Sequence, residues 1–351
     1  MRSAWLFSAL SVLLLSFGVP FVHAQETAPL KTAWLGEHET FVVWYAQKHG
    51  WDKEVGLDIS LIHFRSGREL VDGVAAYEWD IAGCGAVPAL TAALSNRLLI
   101  IAVANDESRS NVVFVRQNSP ILSVKGNNTT YPDIYGDSET LKNALLLCTK
   151  GSSGHYLLVA WLKTLGMKPE DVRIKFMEPA QSLGSFSNGF GDAIAVWAPF
   201  TYEAERLGFR PVSSAEDCKA RQPVVIVANR KFANQYPQRV EAFLRLYFRG
   251  ITLIRKTPVE ELVSEYRTFI KEWAGRELSE ETALRDLQNH PVFTLKEQLE
   301  LFDVSQGKSV LQQWLSDIAT FQVNADPAGL KSIPGPKHLD IITDSFLKAI
   351  H

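Results

Sequence analysis

The sequence predicts an α/β fold of two like lobes facing one another across a cleft, and three observations carry that expectation. A strand-loop-helix-strand order occurs twice, once from Lys31 and again from Ala144. Each copy closes on a short strand opened by an Asp and followed by a Pro, as Asp80 to Pro88 and as Asp192 to Pro199. At 351 residues the chain is long for a single compact core, so two domains are the natural expectation.

The elements can be justified in chain order. Residues 1–24 read as an export signal: Arg2 supplies positive charge, Trp5 to Phe17 is almost wholly apolar, and Val22-His23-Ala24 is a small-x-small cleavage pattern. The apolar run is shorter than the roughly 20 residues a bilayer span needs, and no Cys follows it to take a lipid. The mature chain is expected to begin near Gln25, exported to the periplasm.

Lys31 to Leu35 then reads as a strand, and the polar loop Gly36-Glu37-His38-Glu39-Thr40 leads into a helix from Phe41 that stops near Gly50. A strand resumes over Leu57 to Ile62. The Ser66-Gly67 turn and a helical segment follow it, leading to Asp80-Ile81-Ala82-Gly83-Cys84-Gly85-Ala86-Val87-Pro88. The second copy runs from the apolar strand Ala144 to Thr149 through the loop Lys150-Gly151-Ser152-Ser153-Gly154. It continues with a helix ending at Gly166, the strand Val172 to Phe176, and Gly191-Asp192-Ala193-Ile194-Ala195-Val196-Trp197-Ala198-Pro199. This alternation implies parallel-type sheets flanked by helices. In such sheets the loops at the carboxyl ends of strands converge on a crevice, and two facing sets form a clamp that closes by hinge motion.

Val112 to Val115 and Val224 to Val227 read as strands that cross between lobes. They make the first lobe discontinuous, 25–114 with 226–351, and leave 115–225 as the second. After Phe232 the chain reads as helical, a tail expected to pack around the first lobe. The formal net charge of -3 and the lack of any Lys/Arg block give no ground for a nucleic-acid partner. Cys84, Cys148 and Cys218 are too few for a disulfide scaffold. An oxidising compartment permits one bridge, and the sequence leaves the pairing open.

The order and spacing of three stretches carry a family resemblance. They are Gly151-Ser152-Ser153-Gly154-His155-Tyr156-Leu157-Leu158, Gly191-Asp192-Ala193 through Val196-Trp197-Ala198-Pro199, and Val227-Ala228-Asn229-Arg230-Lys231-Phe232 before Tyr236-Pro237. In these the chain resembles the periplasmic binding proteins of the nitrate/sulfonate/taurine group of ABC importers, the taurine and aliphatic-sulfonate binders most of all. The resemblance implies a two-lobed type II periplasmic-binding-protein fold with its ligand between the lobes. It also implies delivery of a small solute to a membrane permease driven by a cytoplasmic ATPase, and the chain is expected to be a monomer. That group tends to place small hydroxyl residues where this chain has Ala86 and Val87, and an acidic-aromatic pair where it has Val224 and Val225. The departures point to a solute larger or less polar than taurine.

The candidate ligand residues come from the strand-end loops. Ser152, Ser153 and Gly154, at the start of a helix, offer backbone N–H groups and hydroxyls to an anion, and one of the serines can equally serve as a helix cap. Glu37, His38, Glu39 and Thr40 hold the same place in the first copy: the two carboxylates around His38 could receive an ammonium or guanidinium group with Thr40 donating a hydrogen bond, or the loop is simply solvated with Thr40 as helix cap. If both act, the ligand is zwitterionic. His155 could donate to a ligand oxygen or bond locally, and Trp197 could wall the cleft or pack in the core. Ser66, Gly85 and Asp192 complete the set with Cys84, whose thiol could be reactive, bridged or merely buried.

No metal or cofactor is expected, and catalysis is not: Gly-x-Ser-x-Gly, His-Glu-x-x-His and Cys-x-x-Cys are all missing. Two rival readings are a sensory binding protein and an enzyme of the same fold, of the thiamine-precursor type. The export signal speaks against the latter.

Overall fold

A computed structural model describes residues 28–325, Asn96 apart, and 341–351; the expected export signal at 1–24 lies outside the described residues. Two five-stranded sheets organise the chain. The first contains β1 (Leu30–Trp34), β2 (Ile59–His63), β3 (Ile81–Gly85), β4 (Leu98–Asp106) and β10 (Pro223–Asn229), in the order β2-β1-β3-β10-β4. The second contains β5 (Val112–Val115), β6 (Leu145–Cys148), β7 (Arg173–Phe176), β8 (Ala193–Val196) and β9 (Arg210–Ser214), in the order β7-β6-β8-β5-β9.

The two orders match strand for strand. β1 pairs parallel with β2 and β3, as β6 does with β7 and β8. The fourth strand of each sheet runs antiparallel: β10 against β3 and β4, β5 against β8 and β9. The expectation of parallel-type sheets is corrected to this extent, because each fourth strand arrives from the other lobe. Val112 to Val115 and Val224 to Val227 are therefore not the crossovers themselves. The boundaries drawn after 114 and 225 cut through β5 and β10, and the connections lie in 107–111 and 215–222.

Helices cover the sheets. In the first lobe these are α1 (His38–Lys48), α2 (Trp51–Glu54), α3 (Gly67–Asp72), α4 (Val74–Tyr77) and α5 (Ala86–Leu94); in the second, α6 (Ser153–Thr164), α7 (Pro179–Ser187) and α8 (Phe200–Arg206). The tail supplies α9 (Arg230–Gln235), α10 (Pro237–Lys256), α11 (Val259–Ala274), α12 (Glu280–Asn289), α13 (Leu295–Phe302), α14 (Val310–Ala325) and a short helix, Ser345–Ile350. None of the described helices is long and apolar enough to cross a membrane.

α10 begins on Pro237, whose missing N–H would be unpaired there anyway. Its buried face carries Val240, Phe243, Leu244, Tyr247 and Ile251. A Cβ on Gly250 would lie 2.5 Å from Val42 Cγ1, so glycine permits the close crossing of α10 and α1. Trp34 stacks on Phe243 and Tyr247, with centroids at 6.2 and 6.4 Å. Trp34, Trp44 and Trp161 are buried, as core residues should be.

The tail does more than wrap the first lobe. Phe321 of α14 lies against His155 and Tyr156 of α6, and Asp286 of α12 accepts a hydrogen bond from Tyr202 of α8. It therefore ties both lobes together. Cys84, Cys148 and Cys218 are all buried free thiols.

Candidate functional site

The carboxyl ends of the strands in each sheet face those of the other, and side-chain contacts join the two lobes there. Trp197, just past β8, donates its indole N–H to Glu37, just past β1. Ser153 Oγ at the start of α6 donates to Glu107 Oε1 at 2.7 Å, and Gln222 Nε2 donates to the Ser153 carbonyl at 3.1 Å. Tyr202 OH donates to Asp286 Oδ1 at 2.8 Å. Gly85 is required between them, because a Cβ there would sit 2.6 Å from Ser153 Oγ and 3.3 Å from Glu107 Oε1. Beside this junction a cleft of about 330 Å³ opens between Gly36, Glu37, His63 and Arg65 on one side and Glu178, Pro199 and Phe200 on the other.

The junction is acid-rich. Glu39 and Glu107 are buried and Glu37 is half-buried. Burial pushes all three above the usual carboxylate range, Glu39 to about 8, and repulsion adds to it, from Glu39 and Glu107 at Glu37, from Glu107 at Glu39 and from Asp106 at Glu107. A fourth acid behaves in the opposite way. His290 holds Asp286 below its usual value against the effect of burial, and Asp286 in turn lifts His290 to about 9 although burial opposes the charge. The two are 3.1 Å apart, Tyr266 OH also donates to Asp286 at 2.7 Å, and Ser110 Oγ lies 2.8 Å from His290 Nε2. His38 stacks on His290 at 4.9 Å, and burial together with that neighbouring charge lowers it to about 3.

Several buried polar atoms here have no hydrogen-bond partner: both His38 ring nitrogens, Glu39 Oε1, both polar atoms of the Asn105 amide, Asn111 Oδ1, Thr201 Oγ1 and Gln222 Oε1. Buried polar groups are normally bonded, so a cluster of unbonded ones where two lobes meet marks a place prepared for something polar.

The structure brings Glu37, His38, Glu39, Cys84, Gly85, Ser153 and Trp197 to this junction and leaves the other candidates elsewhere. Thr40 Oγ1 donates to the Leu35 carbonyl. Ser66 caps α3 by accepting from Glu69 N. Ser152 caps α6 by accepting from His155 N while donating to the Thr149 carbonyl. A Cβ on Gly154 would lie 3.1 Å from the Ala195 carbonyl, so its role is close helix–strand packing. His155 is buried between Phe176 and Phe321, which lowers it to about 4, and its Nδ1 accepts from Gly151 N. Asp192 lies at the opposite end of its sheet and accepts from Leu145 N. The anion cradle expected at 152–154 thus has both hydroxyls committed within the protein. The Cys84 thiol is pushed well up by burial and then by Glu39, Glu37 and Glu107, so it is no thiolate.

Sequence reasoning missed Glu107, Asn105, Asn111, Tyr202, Asp286 and His290. Glu107 had a signal: Asn105-Asp106-Glu107-Ser108 is a polar cluster closing the long apolar run of β4 at its carboxyl end. His290 had none, being 180 residues from its partner Ser110.

Two α/β lobes, each with a fourth strand supplied across a double connection and with their strand ends meeting at a polar junction, have the architecture of the periplasmic binding proteins. Residues 23–265 match the NMT1-like family, and the chain belongs to that family. A protein of Brachyspira hyodysenteriae, named as a periplasmic binding protein of an ABC transporter, is 24% identical over 262 residues, 74% of this chain and 73% of that one. The periplasmic aliphatic sulphonate binding protein of Escherichia coli superposes with a TM-score of 0.63 at 19% identity, covering 87% of this chain and 96% of its own. The alkanesulfonate-binding protein of Xanthomonas axonopodis pv. citri, solved with MOPS bound, gives a TM-score of 0.61 at 20% identity, covering 77% of this chain and 86% of its own. At these identities the superpositions establish the fold.

Proposed function

We propose that the chain is the solute-binding component of an ABC-type importer, a monomer that captures a small polar molecule between its lobes in the periplasm and passes it to a membrane permease driven by a cytoplasmic ATPase. The observation that carries this reading is the set of unbonded buried polar atoms contributed by both lobes, Glu39 from the first, Thr201 from the second and Asn111 from the connection between them. A clamp needs such atoms, because they gain partners only when a solute is held. The names of the relatives support the same role, and they describe binding proteins rather than enzymes.

A thermal-shift screen of the purified chain against sulfonates, nitrate, amines, amino acids and aromatic acids tests the reading. A solute that binds only the folded form stabilises it by about 2.7 kcal/mol at a hundredfold excess over Kd. Trp197→Ala, which removes the arm reaching Glu37, should weaken that stabilisation. If no compound across all five classes raises the melting temperature, the capture reading fails.

A further inference from the structure

We propose that Glu37, Glu39 and Glu107 recognise an organic cation rich in N–H donors, a primary ammonium, amidinium or guanidinium group, in place of an acid anion. The inference rests on the reading that the junction captures a solute, and it names the chemistry of that solute.

Two independent observations lead there. The first is charge. No ion pair among the described residues engages any of these three carboxyls: Glu37 is bonded to the Trp197 indole and Glu107 to the Ser153 hydroxyl. The nearby cations are occupied, His290 by Asp286, Arg276 by Glu203 and Arg65 by Glu69. The second is the sense of the unbonded atoms. Asn111 Oδ1 and Gln222 Oε1 are acceptors, and Glu39 Oε1 becomes one once the Glu39 proton leaves, each on a residue buried to at least 98%. Asn111 has already given its Nδ2 to the Glu107 carbonyl, so only its acceptor is left for a solute. Asn105, Thr201 and His38 can serve in either sense.

An anion such as a sulfonate gains nothing from Asn111 Oδ1 and Gln222 Oε1, and it opposes every carboxyl here that ionises. An N–H-rich cation meets acceptors and the charge that complements it. A bare metal ion does not fit as well, since no group of three or more His, Cys, Asp or Glu among the described residues is placed to hold one.

Capture should then be linked to protons. Glu39 is faced by Glu37 and His38 at the start of its own helix, by Cys84 of β3, by Glu107 after β4, by Tyr247 and Tyr266 of α10 and α11, and by Asp286 and His290 of α12. His290 is the only one of these held charged and positive, and in the free junction Glu39 keeps its proton up to about pH 8 while Glu37 and Glu107 are shifted toward their protonated forms. A bound cation favours their ionised form and expels those protons. Affinity should therefore rise with pH until about 8, where Glu39 titrates.

Calorimetric titration of the purified chain with butylamine, benzamidine and agmatine, beside ethanesulfonate and nitrate, tests the assignment. Each probe is run at two pH values, 6 and 8, and in two buffers of unlike ionisation heat. At least one N–H cation should bind, with proton release and with affinity about tenfold tighter at the higher pH. Glu39→Gln and Glu107→Gln should each weaken that binding by about tenfold or more and reduce the proton release. Both variants should keep their unfolding midpoints at the lower pH, where an amide replaces a carboxyl of the same shape without a change of charge. Binding of ethanesulfonate or nitrate that these variants leave unchanged or improve would overturn the cation assignment while sustaining solute capture. Binding of no probe by a folded chain, with no stabilising compound in the thermal screen either, would overturn capture itself.

Discussion

The two copies of the strand-loop-helix module agree at one end of their sheets and diverge at the other. At the amino ends, Asp80 accepts from Lys31 N at 3.0 Å and Asp192 from Leu145 N at 2.7 Å, the same bond in the same place. At the carboxyl ends, counting forward from those aspartates, Gly83 corresponds to Ala195 and Gly85 to Trp197. α1 starts among carboxyls with no side-chain cap, whereas α6 starts with Ser152 as its cap. The amino ends only have to hold a sheet together, so one solution serves twice. The carboxyl ends have to meet one another, and that calls for complementary surfaces rather than identical ones. Gly85 leaves the space that Ser153 enters, and Trp197 is the arm that reaches Glu37.

The comparison can be broken most forcefully through the balance of charge on the first-lobe side. His290→Ala strips Asp286 of its cation and leaves a buried acid held by two tyrosines. The expected loss is about 3–5 kcal/mol in denaturant unfolding, and a loss below about 1 kcal/mol would show that the acidic side does not depend on it.

The next effect is one of pH. Glu37, Glu39 and Glu107 bind protons more tightly when folded than when unfolded, and so does His290. Stability from raised carboxyls falls as pH climbs from the usual carboxylate range through about 8, and that from His290 falls between its ordinary value and about 9. Asp286 acts oppositely, contributing stability that is lost only in acid as pH drops through its lowered value. The ligand-free chain should therefore melt roughly 5 °C or more lower at pH 9 than at pH 5. Glu39→Gln should flatten that profile, and a profile unchanged by it would sever the link between Glu39 and stability.

Smaller effects sharpen the comparison at matched positions. A Cβ on Gly83 would lie 2.4 Å from the Trp34 ring, so Gly83→Ala should cost about 1–3 kcal/mol by overpacking. At the matching place Ala195→Gly should cost only about 0.5–1 kcal/mol. Asp80→Ala and Asp192→Ala should be the most alike, about 1 kcal/mol each. Two clearly unequal values would deny that the amino ends are equivalent.

How far the chain could be read in advance follows the same division. The module order was legible because local chemistry writes it: Gly50 and Gly166, both at φ 72°, stop their helices by adopting a left-handed backbone, and each Asp marks a strand start. Glu37 and Glu39 were legible because strand-end loops are where such folds bind. The exchanged fourth strands were not. Val224 to Val227 and Val112 to Val115 are buried apolar runs, and such a run reads the same whichever sheet receives it. The cap that Ser152 forms was not legible because a capping hydroxyl and a ligand-binding hydroxyl look alike in sequence, and neither Phe176 nor Phe321, which enclose His155, is near it in the chain. Asp286 and His290 were invisible, since only the packing of α12 against α8 and α1 brings them to the junction.

The exchanged strands also fix an order of completion. The second sheet is built from one uninterrupted stretch, residues 112–214, and lacks nothing once β9 has been made. In the first sheet β3 and β4 do not pair with each other; β10 lies between them, and that strand ends only at Asn229. Until then two inner edges stand open, each a row of unpaired backbone groups able to recruit a foreign strand. A chain delivered from its amino terminus can thus finish the lobe it starts second before it can seal the lobe it starts first.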